Sequence, residues 1–368
     1  MLAVPPVIPR IHRDLHLDYS AIGVLTGLPT FLLAAAAIPG ALLIARMGAR
    51  RALLIGMAGV AVASALRGVG PHTAVLYTMT LVVGAGVAVS QPAFPTLVGE
   101  WLPARIAFAT AVYTNGMIMG ETVPAAATGS VVLPAVGGSW EVSLVAWAAP
   151  VAALLALVAL TTREPVPRRD GPPARRLPDF SSRQLWLVGL VFGMASAAYW
   201  GANTFIPDFA HASGRPQLQD AALASLNASQ LAASLLALAL PGLLMGRRWP
   251  FVAMGILLAA AFAGIAFAPG AWLVVSAGVV GFASALGLVL TLALPPLLAA
   301  PAEVHTFSAG VFVICYLTAF VGPVLGGAAW DLSHVPRAPF LVLGCGGLVA
   351  IALAAVTSYR PRGERISE

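Results

Sequence analysis

The chain has 368 residues, of which 59% are hydrophobic and only 9% charged, with a mean hydropathy of +0.90. A soluble domain carries roughly a quarter charged residues, so a water-soluble fold is excluded. The 20 basic residues are all arginine, for a formal net charge of +6, and they collect in short segments instead of the continuous basic surface that a nucleic-acid binder needs.

In chain order, the first apolar segment, MLAVPPVIPRIHRDL, offers about nine apolar residues before Arg10, whereas a spanning helix needs roughly 20. It is expected to be the second half of helix one, with a dozen or more residues upstream in the gene product or its relatives; a genuine half-helix is the alternative. Apolar runs of spanning length follow at about 20–45, 50–69, 73–99, 105–132 and 140–162. After a break they resume at about 184–209, 219–245, 249–268, 271–299, 303–330 and 337–358. The longer runs imply tilt or projecting ends. No two-residue alternation marks a membrane barrel, so helices must satisfy the backbone in lipid. The expected fold class is therefore an all-α membrane protein of two six-helix halves. They are 1–162 (partial helix one to helix six) and 184–368 (helices seven to twelve with a short basic tail), joined by an arginine- and proline-rich cytoplasmic linker, 163–183.

Arginine placement predicts orientation. Inner segments hold Arg46, Arg50, Arg51, Arg105, six arginines from Arg163 to Arg183, Arg247, Arg248, Arg360, Arg362 and Arg365; outer loops hold only Arg10, Arg13, Arg67, Arg215 and Arg337. Both termini of the full-length protein and the linker are expected in the cytoplasm, with the inner (plasma) membrane of a bacterium as the location. The two cysteines, Cys315 and Cys345, lie in apolar segments without metal-ligand spacing, so no disulfide framework or zinc site is expected. The start shows no signal-peptide pattern.

An internal repeat relates the halves. Ile8-Pro9 falls on Ile206-Pro207 at an offset of 198, Phe108, Val112 and Pro124 fall on Phe307, Val311 and Pro323 at 199, and Pro95 falls on Pro295 at 200. A near-constant offset means parallel duplication of a six-helix unit, the architecture of the major facilitator superfamily. The chain resembles that family in its loop GALLIARMGARR as well. There Arg46, Gly48, Arg50 and Arg51 match the family's loop signature, while Ala45 stands where many members have an aspartate. The stretches RDLHLDYSAIGVLTGLP (13–29), LRGVGPHTAVLYTMTLVVGAGVAV (66–89) and YLTAFVGPVLGGAAWDLS (316–333) are similar to the cyanate permease and 2-nitroimidazole transporter branch.

Candidate residues follow from polar groups inside spans. Glu121 lies near mid-depth of helix five, where an ionised carboxylate is costly and faces a cavity or a partner. With Thr110, Thr114 and Met117 it forms an i, i+4, i+7, i+11 line. It is read as a substrate or proton residue, against a structural hydrogen bond to a neighbouring helix. Helix seven carries Ser196, Tyr199 or Trp200, and Asn203 on one face, an aromatic and an amide suited to a small planar or polar solute. The competing reading is aromatic packing near the interface. Gln91, Tyr113, Asn115, Asn227, Gln230, Thr291 and Tyr316 are further polar candidates. Gly116 and Gly120, and the run Gly322-Pro323 with Gly326-Gly327, are expected to let helices approach and bend. Asp208 and Asp331, at helix ends, are expected to cap or pair.

The resemblance implies a secondary transporter of a small solute, such as cyanate or a nitrogen-containing compound, working by alternating access. Proton coupling through Glu121 is the sharper expectation and facilitated diffusion the plainer one. A drug or metabolite exporter, and a non-transporting membrane sensor, are the alternatives. No GxxxxGK[ST] loop, nucleophile–base pair or HExxH spacing occurs, so no enzyme activity, cofactor or metal is expected. The expected partners are the lipid bilayer, a small-molecule substrate and protons, with no nucleic acid, and the expected state is a monomer.

Overall fold

The computed structural model describes residues 2–91, 93–94, 97, 101–102, 106–163, 178–299, 304–357 and 359. Its regular elements are all helical. In order they are α1 (Ile8–Leu15), α2 (Tyr19–Ala35), α3 (Ala37–Met47), α4 (Ala49–Leu66), α5 (Thr73–Ser90), α6 (Ile106–Ala127) and α7 (Trp140–Thr161). Then come α8 (Arg183–Ala212), α9 (Gln219–Ala239), α10 (Trp249–Phe267), α11 (Trp272–Leu292), α12 (Val304–Ser333) and α13 (Ala338–Val356). Among the described residues, nine helices are long and apolar enough to cross a membrane. Fully apolar side chains such as Leu160 of α7 (86% exposed) and Leu332 of α12 (86%) point outward, which suits a surface solvated by lipid.

Proline explains where the helices depart from the predicted runs. The expected span at 20–45 is two helices, broken at Ala36. Pro39 has no N–H to offer the Ala35 carbonyl four residues back, and its ring crowds that carbonyl. Similarly α9 ends at Ala239 and resumes as the short helix Pro241–Leu244, and α11 ends at Leu292 and resumes as Pro295–Leu298. Pro124 and Pro323, matched in the repeat, both lie inside long helices, α6 and α12. Past Pro124, α6 widens into a π-turn over Thr128–Val132, a register shift that the sequence pattern does not signal.

The chain divides into two compact units, one of Met1–Leu17 with Leu28–Asp170 and the other of Asp18–Gly27 with Gly171–Glu368. In the first unit, α4 and α5 touch through glycine. A Cβ placed on Gly56 would stand 2.5 Å from the Gly86 carbonyl oxygen, and one on Gly86 would stand 2.6 Å from that of Gly56. Gly68 likewise lies against the Glu141 carbonyl of α7. Because lipid gives helices no hydrophobic reason to associate, close backbone contact at small residues supplies the packing. The segment before α2 is deeply buried, with Val7, Ile8 and Ile11 all at 0% exposure. Arg10 donates to the Gly138 carbonyl (2.7 Å), and the Trp140 indole donates to Asp14 (2.9 Å).

In the second unit α8 is the central helix. Gly189 and Gly193 lie against Ile314 and Thr318 of α12, and Gly201 against Leu343 of α13. α10 and α13 meet through Gly255 and Gly347, each close to the other's carbonyl. Residues 18–27 belong to this unit because Asp331 of α12 caps the start of α2. Its carboxylate accepts the backbone N–H of Tyr19 (3.0 Å) and Ser20 (2.8 Å), where the helix dipole favours negative charge. Tyr19 stacks on Trp330 at 3.8 Å between ring centroids, and Gly327 lies under the Tyr19 backbone. The run Gly322–Gly327 therefore permits close approach as expected. Gly116 and Gly120 do not: no described atom stands within 4 Å of a Cβ at either position.

Candidate functional site

The helical spacing of Ser196, Tyr199 and Asn203 places them along one side of α8, and α9 supplies the partners. The Tyr199 hydroxyl donates to Asn227 Oδ1 (2.6 Å) and accepts from Gln230 Nε2 (3.2 Å). Asn227 Nδ2 donates to Asn203 Oδ1 (3.1 Å) and to the Leu223 carbonyl (2.8 Å). Asn203 Nδ2 returns to the Tyr199 carbonyl at 3.0 Å. All four side chains are buried, Asn227 completely. One phenol and three amides thus form a continuous hydrogen-bonded cluster among apolar helices. Breaking any one link strands a buried polar group at a cost of about 1–3 kcal/mol.

Around this cluster the remaining groups are arranged by aromatic and hydroxyl contacts. Trp200 is half-buried and meets Tyr199 edge-on, with centroids 5.5 Å apart. Ser196 Oγ lies 3.1 Å from Cys315 Sγ of α12. Tyr316 is half-buried and stacks on Phe312 (5.7 Å), which meets Phe192 of α8 at 6.0 Å. The structure therefore gathers Tyr199, Trp200, Asn203, Asn227 and Gln230 at one place and sets Tyr316 on the adjoining α12. Thr204, one residue past Asn203, has its hydroxyl 2.8 Å from that of Thr26 on α2. The sequence predicts neither threonine, because nothing in the local pattern of either helix reports a partner so far away along the chain. Thr291 is buried in α11 with no hydrogen-bond partner for its hydroxyl among the described residues.

In the first unit, Glu121 is half-buried in α6 and takes part in an electrostatic or hydrogen-bond contact. Met117, on the predicted line with it, is 42% exposed. Tyr113 is half-buried and stacks on Phe94 at 5.7 Å, and Gln91 is half-buried just past α5. The side chains of Thr110, Thr114 and Asn115 lie outside the described residues. Gly48 adopts φ +89° between α3 and α4, a backbone that favours glycine. Arg50 donates through Nε to Thr162 Oγ1 (2.9 Å) and through Nη2 to the Ala159 carbonyl (2.8 Å), closing the C-terminus of α7 with positive charge. Arg46 and Arg51 are exposed.

Arg67, expected in a loop, stands in the turn just past α4 and is only 4% exposed. Among the described residues no group of three or more His, Cys, Asp or Glu could hold a metal ion.

Residues 1–244 match the family profile of the Major Facilitator Superfamily, and the chain belongs to that family. It is thus a multi-pass membrane protein of a transporter superfamily. It is 25% identical to the cyanate transport protein CynX of Escherichia coli K12 over 212 residues, 57% of this chain and 54% of that protein. It is also 25% identical to the uncharacterized transporter YycB of Bacillus subtilis 168 over 223 residues, 58% of this chain and 52% of that protein. The chain spans about half the length of the curated relatives it matches, and the match to CynX agrees with the branch resemblance read from the sequence. Among solved structures, a mutant form of the nucleoside transporter NupG superposes with a TM-score of 0.78 at 14% identity, covering 96% of this chain and 94% of that one. A bacterial homologue of the human lysosomal transporter Spinster, inward-facing and occupied, gives 0.74 at 15% identity, covering 96% and 92%. These likenesses define the fold.

Proposed function

We propose that the chain is a secondary active transporter that carries a small polar solute, with the cyanate anion as the first candidate, by alternating access of two halves, 1–162 and 184–368. The observation that carries this reading is the Tyr199–Asn203–Asn227–Gln230 cluster. Four buried polar side chains inside otherwise apolar helices are costly to keep, and their alternating donors and acceptors suit a small polar ligand. Membership of a transporter superfamily and the 25% identity to a cyanate transport protein support the same solute class. The half-buried Glu121 supports proton coupling, since a carboxylate in mid-span can gain and lose a proton as its surroundings change. The distribution of arginine supports a bacterial inner-membrane location with cytoplasmic termini.

The test is uptake of radiolabelled cyanate into proteoliposomes holding the full chain, with and without an imposed pH gradient. Asn203→Ala should raise KM at least tenfold, the loss of roughly one to two amide hydrogen bonds, while the protein still inserts. Glu121→Gln should remove the response to the pH gradient. Unchanged KM in Asn203→Ala moves the solute site elsewhere, and an unchanged pH response in Glu121→Gln rules out its proton role. Binding of cyanate without flux identifies a sensor instead.

A further inference from the structure

Residues 18–27 lie in the first half of the sequence, yet they pack within the second compact unit, where α12 holds them along two turns of helix. A Cβ on Gly23 would stand 2.5 Å from the Pro323 carbonyl oxygen, and one on Gly27 would stand 2.8 Å from the Phe320 ring. Gly327 lies against the Tyr19 carbonyl, and Tyr19 stacks on Trp330 at the end of this seam. A charge closes it. Within α2's own turn Asp18 accepts the Ala21 N–H (2.6 Å), while Asp331 of α12 takes the N–H groups of Tyr19 and Ser20 and the Ser20 hydroxyl. Hydrogen bonds to an ionised group are roughly twice as strong as neutral ones, and these face the positive end of a helix dipole. The internal repeat carries no second copy of this clasp. At the offset of 199 that aligns Pro124 with Pro323, Trp330 and Asp331 fall on Val131 and Val132, whose side chains accept no hydrogen bond, and Val131 is 62% exposed.

We propose that Asp331 is a one-sided latch: its carboxylate holds the start of α2 on α12 and biases the chain toward the state in which this end is closed. Movement of half 1–162 against half 184–368 has to part α2 from α12. A strong contact at only one of two repeat-related places shifts a two-state equilibrium toward the state that makes it. The contact is also reversible. Tyr19, Ser20 and Asp331 are all half-buried, so water can take over the two N–H groups and the carboxylate as they separate. The latch rests on the alternating access proposed above and is independent of the solute carried.

The experiment measures distances between paired spin labels in the full chain, reconstituted without solute and with Cys315 and Cys345 replaced by alanine. One pair, Arg13→Cys and Leu332→Cys, reports the clasp end; the other, Leu160→Cys and Trp249→Cys, reports the arginine-rich end, and all four positions are exposed. Asp331→Val installs the residue found at the repeat position. It should raise the ratio of long to short distances in the clasp-end pair at least tenfold, the loss of about one charge-assisted hydrogen bond or more, and should shorten the other pair in step. Asp331→Asn keeps an acceptor without the charge and should shift the ratio about two- to fivefold; it is the comparison if the valine variant does not fold. Unchanged clasp-end distances overturn the latch. So does lengthening of that pair alone, which marks fraying of α2 instead of a change of state. The readout needs no solute, so a chain that fails to carry cyanate can still pass or fail this test.

Discussion

Asn227 is the residue on which the α8–α9 cluster turns. It accepts from Tyr199, donates to Asn203 and to its own helix, and is wholly buried. Asn227→Ala removes both the acceptor of the Tyr199 O–H and the donor to Asn203 Oδ1, so a loss of about 2–4 kcal/mol in unfolding free energy is expected. Tyr199→Phe removes one hydroxyl and should cost about 1–2 kcal/mol. Denaturant unfolding of the purified variants in detergent checks both, and equal small losses would mean that the cluster opens to water. At this scale the sequence was legible on one side only. Spacing along α8 put Tyr199 and Asn203 on one face, whereas their pairing with Asn227 and Gln230 is a contact between helices that no local pattern encodes. Arg67 escapes a sequence reading for a related reason. The local text LRGVGP reads as a loop, and only the packing of α4 reveals that the residue just past the helix is covered.

Among the helices, glycine illustrates how one residue type divides into two roles. A Cβ on either Gly56 or Gly86 would come within 2.6 Å of the other's carbonyl oxygen, while Gly116 and Gly120 meet nothing described within 4 Å. Gly56→Leu should therefore push α4 from α5 and cost at least about 1–3 kcal/mol. Gly116→Ala should be neutral or stabilising by a few tenths of a kcal/mol through helix propensity. Thermal unfolding of the two variants tests the contrast, and equal midpoints would remove the distinction. Of these glycines only Gly116 and Gly120 are expected from the sequence to let helices approach, and the difference lies in what stands opposite each. Asp331 belongs at this scale too. Asp331→Asn keeps an acceptor for the start of α2 but loses the charge that meets the helix dipole, an expected loss of about 0.5–1 kcal/mol. Proline breaks are legible in principle, since Pro39, Pro241 and Pro295 forbid a bond wherever they fall, yet the expected runs 20–45, 219–245 and 271–299 pass straight over them; the π-turn at Thr128–Val132 has no such signature.

For the whole molecule, composition, run lengths and the internal offset carried the class. Few charges and a dozen apolar runs leave helices in lipid as the viable architecture, and the family match over residues 1–244 places that architecture among facilitator-type transporters. Substrate identity is of another kind. It rests on the placement of a few polar groups whose partners lie on other helices, and sequence periodicity does not report that placement. The most direct measurement of the transport reading is therefore counterflow of radiolabelled cyanate in proteoliposomes containing the full chain, compared with liposomes without protein. Label should accumulate in vesicles preloaded with unlabelled cyanate, and Asn203→Ala should weaken that accumulation at low concentration. Label that equilibrates no faster than in protein-free vesicles would contradict the transport reading.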